Sequence, residues 1–175
     1  MNIFYLHHLP RIAAGMHCDK HVGKMLIESC QMLATAHHHH GNGHMVSYKP
    51  THINHPSNIW ARQSKAHYDW LAELASGLGR EFFKRYGKHH KSHEILVAEL
   101  QVAPPVLQKA KFSWQPPPLA MPDEYKTNDP IESYQHFYAS KRDRMDMVYY
   151  KGVATPPYWL QQIWNSMDKQ QLKAA

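Results

Sequence analysis

Only two cysteines, Cys18 and Cys30, occur in the 175 residues. The pattern described below sets them on one helix, too far apart to bridge. That excludes a disulfide scaffold of the secreted kind and suits a reducing compartment. No stretch approaches the roughly eighteen consecutive apolar residues of a membrane span. The opening Met-Asn-Ile-Phe-Tyr-Leu-His-His-Leu-Pro has no basic lead into a long apolar core, so no signal peptide is expected. Acidic side chains are also scarce: 14 Asp+Glu against 20 Lys+Arg leave a formal charge of +6. Such a balance suits a polyanionic partner, nucleic acid first. CxxC and HExxH are both missing, so the expectation is no metal and no organic cofactor.

What is abundant is histidine. Sixteen are present, including the internal run His37–His40, which reads as a solvated loop. The length suits one domain, residues 1–175, able to bury a sizeable core. From about Arg11 to Ala36, Cys18, Val22, Met25, Ser29, Met32, Leu33 and Ala36 recur at three- and four-residue steps, predicting one long helix with a buried stripe. A second helix is expected from Ser57 to Tyr86, with a basic end containing Lys84, Arg85 and Lys88. A shorter helix follows near Ser92–Gln101. Ala103–Asn128 holds six of the twelve prolines and reads as a long surface connection. Asp129-Pro130-Ile131-Glu132 has the form of a capping box opening a helix toward Met145, and Thr155-Pro156-Pro157 introduces a last one. The fold class is mainly α, a compact helical domain with long Pro-rich surface connections.

On the face of the first helix opposite its apolar stripe stand His17, His21, Lys24, Glu28 and Gln31. Seven residues are nearly two turns, so His21 and Glu28 share that face about 10 Å apart with Lys24 between them. A carboxylate flanked by amines can stabilise an oxocarbenium-like sugar or move protons at a glycosidic bond. Periodicity alone equally supports a solvated face with Lys20, Lys24 and Glu28 pairing. In the loop before the second helix, His52, Asn54 and His55, with Arg62 beyond, have edges able to meet phosphate or an extruded base, or simply to satisfy backbone beside Pro50 and Pro56. Tyr149 and Tyr150 are candidates for stacking on an unpaired base, and Arg62, Lys84, Arg85, Lys88, Lys141, Arg142 and Arg144 for neutralising phosphates.

Cys18-Asp19-Lys20-His21-Val22 with Glu28 resembles the first helix of the pyrimidine-dimer DNA glycosylases of the endonuclease V type, in which Asp-x-His-apolar precedes the catalytic Glu at the same spacing. Weaker similarity runs through Pro50-Thr51, Ser57–Tyr86, Met121-Pro122-Asp123-Glu124-Tyr125 and Tyr149-Tyr150-Lys151-Gly152. Cys-Asp-Lys-His-Val, Thr-His-Ile-Asn-His-Pro and Ala-Met-Pro-Asp-Glu-Tyr-Lys also resemble a group of uncharacterised small phage proteins. The first resemblance implies an endonuclease V-like fold and cleavage of the N-glycosidic bond of a damaged or modified pyrimidine in double-stranded DNA. Glu28 would be the catalytic carboxylate, Asp19 and His21 would orient the site, and Lys24, Lys20 or the chain's α-amine would supply positive charge or the nucleophile, with an AP-lyase step as a further outcome. The family's nucleophile is the α-amine of a Thr, whereas residue 2 here is Asn, large enough for the initiator Met to be retained, and Ile27 stands where the family has Arg before its Glu. A base-modification enzyme on the same fold and a non-catalytic DNA-binding protein are the alternatives. The expected protein is a monomer without membrane contact, in the cytoplasm of a bacterial or phage-infected cell.

Overall fold

The apolar stripe of the first long pattern makes the spine of the molecule. The structure, a computed structural model, describes residues 1–109, 113–149 and 154–174, so Tyr150, Lys151 and Gly152 lie outside the described residues. Eight α-helices and no strand occur among them. They are α1 (Pro10–Gly15), α2 (Asp19–His39), α3 (Pro56–Ala61), α4 (Lys65–Tyr86), α5 (Lys91–Ile95), α6 (Pro105–Lys109), α7 (Pro130–Ala139) and α8 (Tyr158–Ala174). Val22, Met25, Leu26, Cys30, Met32 and Leu33 of α2 are buried, and α2 packs along α4 through Leu71, Leu74, Leu78 and their neighbours. No helix of the described residues is long and apolar enough to cross a membrane.

The helix expected over Arg11–Ala36 is two helices. The turn at Met16–Cys18 is held by groups remote in sequence. Arg85 donates to the carbonyls of Gly15 (3.3 Å) and His17 (2.7 Å), the Tyr138 hydroxyl accepts the Cys18 N–H (2.8 Å), and Val148 O accepts the Asp19 N–H (2.8 Å). The Cys18 and Asp19 N–H groups and the Gly15, Met16 and His17 carbonyls thus have partners outside the helix, so the interruption leaves little unsatisfied. α1 can then lie close across α4 because position 77 is Gly: a Cβ there would meet the Ala14 Cβ at 2.7 Å.

The second expected helix also divides. Ser64 accepts the His67 N–H and starts α4 as its N-cap, while the His55 ring accepts the Ser57 N–H and caps α3. α4 ends on Gly87, whose positive φ of 67° lets its N–H close on Phe83 O. Near Ser92 the expected helix is the five residues of α5 followed by a π-helical segment, Leu96–Leu100. Of the expected capping box only the N-cap half forms: Asp129 accepts the Ile131 and Glu132 N–H groups and Pro130 opens α7, while the Asp129 N–H goes to Thr127 Oγ1 and Glu132 accepts from the Thr127 hydroxyl instead. α7 stops at Ala139, short of Met145, and passes into a 3-10 turn, Ser140–Asp143. α8 rests on α7, with Trp164 Nε1 donating to Ala139 O at 3.0 Å.

Two connections are more embedded than their composition suggested. In the Pro-rich stretch Leu107 and Met121 are buried, and Gln115, Pro118 and Ala120 are tied by hydrogen bonds to Trp60, Tyr134 and Asn2. The N-terminal arm is no strand, yet Ile3, Phe4, Tyr5 and Leu6 are all buried. The Asn2 side chain accepts the Ile3 and Phe4 N–H groups, and Phe4 is held at φ 48°. A left-handed Phe is costly and persists only where surroundings fix it.

Candidate active site

Glu28 projects from the middle of α2 into a cavity of about 430 Å³, closed on one side by the N-terminal arm and on another by α7 and the turn after it. Its apolar walls are Phe4, Met25, Phe137 and Met145. That volume falls within the range of small-molecule and cofactor pockets. The Glu28 carboxylate is 17% exposed. Oε2 accepts the Asn2 backbone N–H at 2.9 Å and lies 3.9 Å from the Met1 terminal amine; Oε1 is 4.0 Å from Lys24 Nζ. The Met1 side chain is almost wholly buried, its sulfur 3.3 Å from Asn58 Nδ2, so the amine is delivered to the carboxylate by an anchored residue.

Three cations surround the same space: Lys24, Lys141 and Arg144. Lys141 Nζ sits 3.5 Å from the Phe137 ring centroid, a cation–π position. Partial burial, then the positive charges of Arg144 and Lys24, lower its pKa to about 8. With Glu28 the one carboxylate in the lining among the described residues, the cavity presents a positive field to an anionic ligand.

His21 lines this cavity, but not as part of a solvated row. It is buried, stacked on Phe4 at 5.2 Å, and its Nδ1 lies 3.0 Å from the Tyr138 hydroxyl. Burial first, then the nearby His17, Lys24 and Lys141, push its pKa down to about 3, so the ring is neutral at physiological pH. His17 does not share the cavity: it is fully buried beside Phe4 and Tyr138, and burial lowers its pKa to about 4.

The remaining expected residues separate into near and far. His55 is outside the cavity lining, its ring accepting the Ser57 N–H at the start of α3; burial first, then the Met1 amine, lower its pKa, while Glu28 acts to raise it. His52 and Asn54 are exposed in the same loop, and Arg62 donates to Ile53 O. Asp19 does not face the cavity; it is buried 3.1 Å from Arg85. Arg85 is no phosphate contact. Its side chain is 0% exposed and divides its donors among Asp19, Glu81 and the two carbonyls at the α1–α2 turn. Tyr149 offers no stacking face, being buried with its hydroxyl donated to Met16 O. Lys20, Lys84 and Lys88 are exposed and lie outside the cavity lining.

Several residues now at the site carried no such signal in the sequence. Phe4 lies in a segment too short to classify and Phe137 belongs to no motif, while Lys141 and Arg144 are expected as phosphate contacts but with nothing to place them beside Glu28. Among the described residues no group of His, Cys, Asp and Glu is arranged to hold a metal ion. No protein family, curated protein or solved structure matches the chain.

Proposed function

We propose that the Glu28 cavity cleaves the N-glycosidic bond of a damaged or modified pyrimidine in double-stranded DNA. One observation carries this reading: a partly buried carboxylate, held by the Asn2 N–H, faces a cavity alongside the chain's terminal amine and three cations. The helix and the spacing from Asp19 and His21 to Glu28 are those on which the resemblance to the pyrimidine-dimer glycosylases rests, the arm before them being several residues longer than the family's, and an endonuclease V-like fold is part of the proposal. An extruded nucleotide would set its ring against the apolar wall and its phosphates toward Lys24, Lys141 and Arg144.

In this reading the unprotonated Met1 amine attacks C1′ of the deoxyribose. The C1′–N bond of the base breaks, the electron pair leaves with the base, and a proton restores its neutrality. Glu28 stabilises the positive charge that grows on the sugar and takes the proton released by the amine. The Met1 amine is held 3.9 Å from Glu28 by a buried side chain, which favours it over an exposed Lys24. His21 orients the substrate as a neutral ring, and Asp19 acts only through Arg85 and the turn that starts α2.

The test is Glu28→Gln on duplex DNA carrying a pyrimidine dimer or a modified pyrimidine, with base release and thermal stability measured together. The expected result is loss of base release by at least about 10²-fold, a melting temperature near wild type, and loss of any borohydride-trapped adduct at Met1. Full activity in a folded Glu28→Gln protein refutes the assignment.

A further inference from the structure

Tyr138 brings together three groups that the sequence scatters. Its hydroxyl oxygen accepts the Cys18 N–H at 2.8 Å and lies 3.0 Å from Nδ1 of His21. The side chain is fully buried, so its proton has to be given to a protein acceptor. If Nδ1 carried a hydrogen, the phenol oxygen would receive two donors and its own O–H would have to turn from the ring to the Tyr149 hydroxyl oxygen. If Nδ1 is unprotonated, the Tyr138 O–H donates to it and all three groups are satisfied. The other hydroxyl close by is Tyr149, whose own proton goes to Met16 O at 2.9 Å. The His21 ring is also held flat against Phe4, at an interplanar angle of 26°. Its Nε2 has no partner among the described residues, is not one of the sealed buried atoms, and belongs to a residue lining the Glu28 cavity.

We propose that Tyr138 is a positioning residue that fixes His21 in the Nε2–H tautomer, so that the ring offers a neutral hydrogen-bond donor to a carbonyl oxygen of the pyrimidine as it leaves. The substrate part of this inference rests on the glycosylase reading; the tautomer does not. When the C1′–N bond breaks, its electron pair passes to the base and negative charge gathers on the carbonyl oxygens of the ring. A preorganised donor there stabilises the departing base more than the bound one. Burial of the ring first, then the positive groups around it, keep His21 uncharged near neutral pH, so the donor there is a neutral N–H. The device needs no charge of its own: a phenol on α7 sets which nitrogen of an α2 histidine carries the hydrogen.

The experiment is nitrogen-15 NMR of histidine-labelled protein, with His21 assigned from a His21→Gln sample. The expected wild-type spectrum shows an unprotonated Nδ1 and a protonated Nε2. A protonated Nδ1, which would mean that Tyr138 gives its hydrogen to Tyr149, overturns the proposal whether or not the protein releases bases. In Tyr138→Phe the His21 signals are expected to move toward a mixture of tautomers, and kcat on damaged duplex to fall about tenfold with KM unchanged. His21→Gln, which can place an N–H near the Nε2 position, is expected to keep at least about tenfold more activity than His21→Leu. Equal losses in the two His21 variants would remove the donor role, and this comparison stands even if Tyr138→Phe does not fold. Failure of the glycosylase reading shows separately, as absence of base release from wild-type protein with the tautomer intact.

Discussion

Replacing Arg85 by Ala asks most directly whether the basic end of α4 serves the fold or a nucleic acid. The guanidinium is wholly buried and donates to Asp19 Oδ1 (3.1 Å), Glu81 Oε2 (2.9 and 3.2 Å), His17 O (2.7 Å) and Gly15 O (3.3 Å). Removing it leaves the 8%-exposed Asp19 carboxylate without its counter-charge and strips two carbonyls at the α1–α2 turn. Breaking one partner of a buried ion pair costs about 3–5 kcal/mol. For a chain of this size that corresponds to a fall of roughly 10–15 °C in melting temperature. The assay is urea and thermal unfolding of Arg85→Ala, Asp19→Leu and Arg85→Met/Asp19→Leu. The double variant should recover part of the loss, because the buried Asp19 carboxylate is no longer stranded, but not all, because Glu81 and the Gly15 and His17 carbonyls still lack their Arg85 donors. An Arg85→Ala protein within about 1 kcal/mol of wild type that loses affinity for DNA would refute this reasoning and return Arg85 to a phosphate.

Acid should weaken the fold through its buried histidines. His17 and His21 have pKa values lowered to about 4 and about 3, so as the pH falls below about 6.5 the unfolded chain takes up protons that the folded one refuses. Their stabilisation is then full well above pH 6.5 and declines toward pH 4, with these two groups giving a slope approaching about two protons between pH 6 and 5. Urea midpoints across that range should show it, His17→Leu should remove about one proton of slope, and a flat profile would contradict the burial argument. Lys141, with its pKa lowered to about 8, should be acetylated at pH 8 well ahead of the exposed Lys88, as peptide mapping after brief labelling would reveal; equal rates would mean that its neighbours do not perturb it. Its stability linkage has the opposite location: between about pH 8 and its usual 10.5 the unfolded chain holds the proton and the folded one does not, so this group's contribution rises with pH there.

The sequence by itself determined the helices and the shared face. Three- and four-residue apolar spacing suffices to name α2 and α4, because a helix must bury one stripe, and the Asp129–Pro130 cap is legible because its hydrogen bonds are local. Seven-residue spacing put Glu28, Lys24 and His21 on one side of α2, where all three line one cavity. What tertiary structure decided is where those helices stop and which charges remain free. The break at Met16–Cys18 depends on donors and acceptors 66 to 133 residues away, from Arg85, Tyr138 and Tyr149, and no local propensity records them. Arg85 and Lys88 look alike in sequence, yet one is sealed inside and the other exposed, because only packing determines whether a cation meets a carboxylate before it meets water. The Met1 amine reaches Glu28 for the same reason: an arm of nine residues without periodicity is placed by the surface it buries, and its destination is written in α2 and α7 rather than in itself.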